Sequence, residues 1–415
     1  MTGEAPAPSS LLLRAARVLD VGAGEYLEDH DVLAVDGRIA EVGRGLRVDD
    51  DVVVIDVDGA TVMPGLVDAH VHVTAATADL SVLPRWSPTY VAAHAAGILR
   101  GMLERGFTTV RDACGADWGL ARALSEGLLS GPRLLYCGKA LSQTGGHGDV
   151  RSPGQVGLDN CACCAGLGRV ADGVDAVRAA ARDELRKGAH HLKVMASGGV
   201  ASPTDRIDSA QYSIAELRAV VEEAEAANRY VAAHAYTARA VNRALEAGVR
   251  SIEHGNLLDD ESIRLLGARD AYLVPTLVTY WALKQEGMNH GLPRGSWDKV
   301  DAVLGEGLAA LERAARGGVR IVFGTDLLGG MHRHQSHEFR LRAEVQPPLE
   351  IVRSATIVAA DLLGMTGQIG VVAPDAHADL LVVDGDPLED AEVLADPAAY
   401  LRAVVQAGRL VVDRR

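Results

Sequence analysis

Positive charge is in short supply in this chain: 41 Lys and Arg stand against 56 Asp and Glu, a formal net charge of −15. Nucleic-acid phosphates need a basic surface, so that class of partner is excluded. No run approaches the ~20 consecutive apolar residues of a membrane span. The first residues, Met1-Thr2-Gly3-Glu4-Ala5-Pro6-Ala7-Pro8, have neither a basic segment nor a long apolar one, so no export signal is read there. These absences predict a soluble, cytoplasmic protein without membrane or nucleic-acid partners.

Cysteine is scarce too. Five of them, at 114, 137, 161, 163 and 164, suit a reducing compartment. The cluster Cys161-Ala162-Cys163-Cys164 contains a Cys-x-x-Cys. A zinc ribbon wants a second close pair, and there is none. A thioredoxin-like site wants a strand-to-helix junction, whereas residues 154–168 read as loop. We read the cluster as free thiols.

What the chain does have is length and apolar content. Its 415 residues, 48% of them hydrophobic, suffice for one large domain and a smaller one. Short β-like runs fill the N-terminal part: Leu11–Val18, Asp31–Val35 with Arg38–Val42 across an Asp36-Gly37 turn, and Val52–Asp56. Asp-Gly between apolar runs signals a hairpin. The tail has the same texture, with Asp379–Val383, Val404–Ala407 and Leu410–Val412 across Gly408-Arg409. Chain ends commonly lie close together, so residues 1–62 with 368–415 are expected to form one composite β-sandwich domain.

Residues 63–367 alternate β-runs with amphipathic stretches. The runs are Val67–Val73, Gly106–Val110, Arg133–Tyr136, His191–Ala196, Tyr230–His234, Ser251–His254, Tyr272–Val278 and Val319–Thr325. Ser87-Pro88 reads as an N-cap with Pro at N1, Ser213-x-x-Glu216 as a capping box, and Gly188 and Gly248 as C′ glycines. Eight βα units over ~300 residues predict an α/β fold, the (β/α)8 TIM barrel. A doubly wound sheet would want a Gly-rich phosphate turn after its first strand, and there is none.

Chemistry in such a barrel gathers at the C-terminal strand ends. The first run ends in His70-x-His72, two rings projecting to one face. The fourth carries Lys193, the fifth ends in His234, the sixth in His254 and the eighth in Asp326. Polar residues closing five of eight strands point to a two-metal site. Lys193, flanked by Leu192, Val194 and Met195, is placed to lose its charge beside dications and take up CO2 as a bridging carbamate; the plainer alternative is a lysine snorkelling to solvent.

That residue set, with the opening "MPGLVDAHVHV", resembles the amidohydrolase superfamily in its binuclear, carboxylated-lysine type. The stretches "RDELRKGAHHLKVMASGGVASPTD", "HAYT", "SIEHGN" and "GTDLLGGMHRHQSHEF" resemble the branch holding Xaa-Pro dipeptidases and carboxypeptidase-like enzymes. The resemblance implies that His70, His72 and Asp326 hold one metal and His234 and His254 the other. Carboxylated Lys193 and a nucleophilic hydroxide would bridge them. Asp326 would shuttle the proton to the departing amine. Zinc is the metal His-rich ligation favours, though other divalents fit. His147, in "QTGGHGD", resembles a histidine hydrogen-bonding the scissile carbonyl, and Tyr236 a tyrosine contacting the substrate's free carboxylate. Each has a bland alternative, a solvated loop histidine and a packing aromatic. The branch also implies a homo-oligomer, with an octamer as one size.

Arg111-Asp112 reads as a structural ion pair more readily than as a carboxylate anchor. His332, His334 and His337 read as loop or structural residues, the ligand set being complete without them. Three functions remain open. The first is hydrolysis of Xaa-Pro-like dipeptides or N-acyl amino acids. The second is hydrolysis of another amide, urea, carbamate or cyclic amide, ochratoxin-like or imidazolone-like. The third is a catalytically silent scaffold, against which the complete ligand set speaks.

Overall fold

The computed structural model describes residues 10–155 and 164–415; Cys161 and Cys163 lie outside the described residues. Close contacts divide the chain into two units. One gathers the described part of residues 1–67 with 103–108 and 347–415, and the other holds 68–102 and 109–346.

The terminal unit opens with β1 (Leu11–Asp20), β2 (Glu25–Val35), β3 (Arg38–Gly43), β4 (Val53–Asp56) and β5 (Thr61–Pro64). Asp36 and Gly37 join β2 to β3, both at positive φ, +50° and +79°. A two-residue turn of that hand matches the twist of the strands it connects.

The second unit carries most of the parallel strands. Three pair in the order β6 (Leu66–Val71), β7 (Phe107–Asp112), β8 (Arg133–Tyr136). Then come β9 (Ala140–Ser142), β10 (Gly168–Val170), β11 (Leu192–Met195), β12 (Val231–Thr237), β13 (Ser251–Leu257), β14 (Tyr272–Val274) and β15 (Arg320–Ile321). These seven form one parallel sheet in the order β10-β9-β11-β12-β13-β14-β15. Backbone hydrogen bonds join the two sheets at both sides. The Ala69 N–H reaches the Phe323 carbonyl at 2.9 Å, and the His190 N–H reaches the Tyr136 carbonyl at 2.8 Å. The result is a barrel-like α/β arrangement.

Alternation sorts the side chains. Leu192, Val194, Val231, Ala233 and Ile252 join the apolar layer with Leu217, Val220, Val241 and Leu245 of the covering helices. Lys193 and His234 point the other way, as a period of two requires. The helix Ile214–Ala226 starts on a complete Ser213–Glu216 capping box, and Ala238–Ala247 ends on left-handed Gly248.

Two strands are shorter than their apolar runs. The run from Tyr272 stops at Val274, because Pro275 has no N–H to donate and Thr276 turns left-handed at φ +49° before the helix Leu277–Glu286. The run from Val319 is regular only over Arg320–Ile321. Beyond it Val322 still donates to Leu273 O at 2.9 Å. The three-residue strands β9 and β10 carry too little periodicity to be read from sequence.

The chain returns to the terminal unit with β16 (Leu380–Val383), β17 (Leu401–Gln406) and β18 (Arg409–Asp413). One mixed sheet results, in the order β18-β17-β16-β5-β1-β2-β3 with β4 beside β1. Strands from both ends interleave, Val62 of β5 opposing Val382 of β16. The last hairpin turns at Ala407-Gly408, φ +46° and +73°, one residue earlier than the sequence suggests. Among the described residues, no helix is long and apolar enough to cross a membrane.

Candidate active site

His70, His72, His147, Lys193, His234, Tyr236, His254 and Asp326 all line one cavity of the second unit. Among the described residues, His70, His72 and Asp326 form the single close group of metal-ligating atoms, all within 4.8 Å of one another. Asp326 Oδ1 lies 2.9 Å from Nε2 of His72 and 3.3 Å from Nε2 of His70. The His254 ring sits 5.1 Å from that of His70 and 4.7 Å from that of His234.

Each of these four imidazoles gives one nitrogen to the protein. Nδ1 of His70 pairs with Glu253 Oε2 at 2.6 Å and Nδ1 of His72 with the Cys114 carbonyl at 3.1 Å. Nε2 of His234 pairs with the Gly198 carbonyl at 3.0 Å, and Nδ1 of His254 with Thr276 Oγ1 at 2.8 Å. A ring held through one nitrogen keeps the other for a metal, the arrangement expected of a ligand histidine. Burial holds His234 and His254 well below the usual histidine value, with Lys193 adding to the effect, so both rings are neutral. Burial would raise Asp326, but the His70 and His72 rings outweigh it and hold it well below the ordinary carboxylate range.

Lys193 is 2% exposed on β11. Among the described residues no carboxylate or carbonyl pairs with its amine. A buried amine without a hydrogen-bonded partner is costly, although Lys193 does act on Glu253, whose carboxyl it helps Arg111 to hold below the usual value. The donor set, rich in histidine with one carboxylate, fits divalent metal.

Backbone conformation contributes to the site. His254 and Asp326 both occupy the left-handed region, at φ +74° and +54°, a conformation that non-glycine residues adopt at a cost and that clusters at functional sites. At His254 it breaks the alternation of β13. Glu253 already faces inward on His70, so a regular strand would turn His254 outward with Ile252. The positive φ swings its ring into the cavity as well.

Three partners escape a sequence reading. Glu253 is fully buried and bonds Nη2 of Arg111 at 2.8 Å through each oxygen. Burial would raise its pKa, but Arg111 holds it well below the usual value, so the pair is ionised. Arg111 thus pairs with Glu253 and not with its neighbour Asp112, which caps the N–H groups of Val73 and Ala116. Tyr280, on the helix after β14, donates to the Tyr236 hydroxyl at 3.1 Å. Burial first of all pushes both phenols up, so both are neutral. Cys114 brings its sulfur within 3.4 Å of His72 Nδ1. His332, His334 and His337 are not among the residues lining this cavity. His334 bonds Glu286 at 2.6 Å, and His337 packs on Trp281 with ring centroids 4.2 Å apart.

Parallel strands delivering histidines, an aspartate and a buried lysine to one cavity define a metal-dependent hydrolase. The amidohydrolase family model matches residues 61–411, and the chain belongs to that family and is a hydrolytic enzyme. A curated relative, ochratoxinase of Aspergillus niger, is 34% identical over 365 residues, covering 84% of this chain and 75% of its own. Among solved structures, a prolidase complexed with N-methylphosphonate-L-proline is 52% identical, with a TM-score of 0.95 over 98% of this chain and all of its own. A Xaa-Pro dipeptidase with bound methionine in its active site is 28% identical, with a TM-score of 0.87 over 97% of this chain and 99% of its own.

Proposed function

We propose that this enzyme is a two-metal hydrolase cleaving the amide bond of Xaa-Pro-like dipeptides or N-acyl amino acids. The observation that carries the reading is one cavity lined by all six ligand candidates together with His147 and Tyr236. On this reading His70, His72 and Asp326 hold one divalent ion, His234 and His254 a second, and carboxylated Lys193 stands between them. Zinc suits the His-rich donor set. Such ions supply a lowered pKa for water and a Lewis acid for the scissile carbonyl.

The chain's own groups do the rest. The Asp326 carboxylate, ionised and 2.9 Å from His72, takes a proton from the attacking water and returns it to the leaving amine. Tyr236 receives a hydrogen bond from Tyr280, so its own proton is left for the substrate's free carboxylate. His147 borders the reacting group from the loop after β9. The prolidase and Xaa-Pro dipeptidase relatives support the dipeptide reading. The ochratoxinase relative supports a second reading, hydrolysis of another amide. The same view takes the two parallel sheets as arcs of one closed (β/α)8 barrel and the terminal strands as a β-sandwich.

The test compares kcat/KM for a Xaa-Pro dipeptide with that for its C-terminal amide, within a screen of dipeptides and N-acyl amino acids. The free acid is expected to be cleaved at least tenfold better. Tyr236→Phe should raise KM for carboxylate substrates more than it lowers kcat, as loss of uniform binding does. Equal values for acid and amide would reject the carboxylate anchor in favour of the second reading.

A further inference from the structure

The loop after β11 forms one wall of the cavity without regular structure to hold it. From Gly199 to Asp205 the backbone is neither helix nor strand. Val200 and Ala201 line the cavity, and Gly199, Val200, Ser202 and Asp205 are buried. Buried carbonyls in such a segment need donors from elsewhere in the chain.

Lys299 supplies them. It stands just before the helix Asp301–Arg316. Its Nζ donates to the carbonyls of Gly199, Ser202 and Asp205 at 3.1, 2.9 and 2.7 Å. An ammonium has three protons and no lone pair, so one group meets three carbonyls and its capacity is filled. Asp205 Oδ1, 3.6 Å away, provides the counter-charge.

The segment held in this way meets Tyr236 at two points. Ser197 Oγ accepts the Tyr236 backbone N–H at 3.1 Å, and the Val200 backbone N–H donates to the Tyr236 hydroxyl. Tyr280 donates to the same oxygen at 3.1 Å. A phenol oxygen that accepts two hydrogen bonds has only its own proton left to offer, and Tyr236 lines the cavity.

From this geometry we infer that Lys299 is a positioning residue that sets selectivity for substrates with a free carboxylate. By clamping the backbone from Gly199 to Asp205 it keeps the Val200 N–H on the Tyr236 oxygen, and so keeps the phenol proton turned outward as a donor. Lys299 itself touches no substrate and acts through the loop and the phenol. The inference rests on the proposed function in taking Tyr236 to meet the substrate's carboxylate.

The first readout needs no substrate. Lys299→Met keeps the aliphatic stem and removes all three donors. Hydrogen exchange followed by mass spectrometry should show the amides of residues 199–205 exchanging about tenfold faster or more, with those of β12 unchanged. Unchanged exchange in the loop would overturn the inference. The second readout compares a Xaa-Pro dipeptide with its C-terminal amide. Lys299→Met should raise KM for the free acid about fivefold or more with kcat within about twofold, and leave kcat/KM for the amide unchanged. Lys299→Arg keeps the charge, but a planar fork cannot converge on three carbonyls. It should show the same changes in smaller measure, and it gives the comparison even where the Met variant does not fold. In a Tyr236→Phe background neither substitution should alter the acid-to-amide ratio further, since both act through that phenol. Equal losses on acid and amide would make Lys299 merely structural and overturn the inference. If the unaltered protein cleaves acid and amide equally, the carboxylate reading itself fails and takes the selectivity with it, whereas faster exchange in Lys299→Met would still assign the fixing of the loop to Lys299.

Discussion

The Glu253 carboxylate sits 2.6 Å from Nδ1 of His70, with both side chains buried, and it holds the fully buried guanidinium of Arg111 on its other side. One acidic group therefore orients a metal-ligand candidate and neutralises a buried cation. Glu253→Gln is expected to loosen both. Metal retention against a chelator should weaken about tenfold to a hundredfold, as loss of an outer-shell partner does. The melting temperature should fall too, because breaking a buried pair costs roughly 3–5 kcal/mol. Unchanged metal retention would remove His70 from the ligand set.

Protein purified without chelator should contain about two divalent ions per protomer, as a two-metal site requires. Elemental analysis measures this directly. Full activity with one ion would reject the second site at His234 and His254.

Lys193→Ala should reduce kcat by several orders of magnitude if, as proposed, a carbamate on that lysine stands between two ions. Added short carboxylic acids or bicarbonate should restore part of that loss. Near-normal turnover in the variant would exclude a bridging role for Lys193.

Glu338, on the helix His337–Ala343, is buried and accepts the Val278 N–H at 2.7 Å. Burial pushes its carboxyl up to about 8, against a pull downward from Arg342. The folded state therefore holds this proton more tightly than the unfolded chain. The associated stability is fully present below the ordinary glutamate value and is lost as pH rises through about 8. Glu338→Gln cannot titrate, so its stability relative to the native protein should increase across that window by up to about 1.4 kcal/mol per pH unit. Melting curves from pH 5 to 9 decide this, and parallel curves would mean that Glu338 is ionised throughout.

Much of the parallel framework is legible in the sequence, because buried strands appear as short apolar runs and their last polar residues stand out. His70, His72, Lys193, His234, His254 and Asp326 are found that way. Glu253 is not, since period two assigns the inward face to only one of two neighbouring residues, and His254 takes that place. Tyr280 is hidden because Pro275 and Thr276 convert the end of an apolar run into a helix start. Lys299 lies 100 residues from Gly199, and only folded backbone brings it to that Gly-rich loop, which itself carries no periodicity.

The left-handed backbone at His254 sets stability against function at one torsion angle. Glycine would relax that backbone at no steric cost, and it would also delete the imidazole. A search for stabilising substitutions would therefore be drawn to position 254, where any gain in thermal tolerance would come with the loss of a ligand candidate. Histidine at 254 places a strained residue there, and with it two consecutive side chains of one strand face the same cavity.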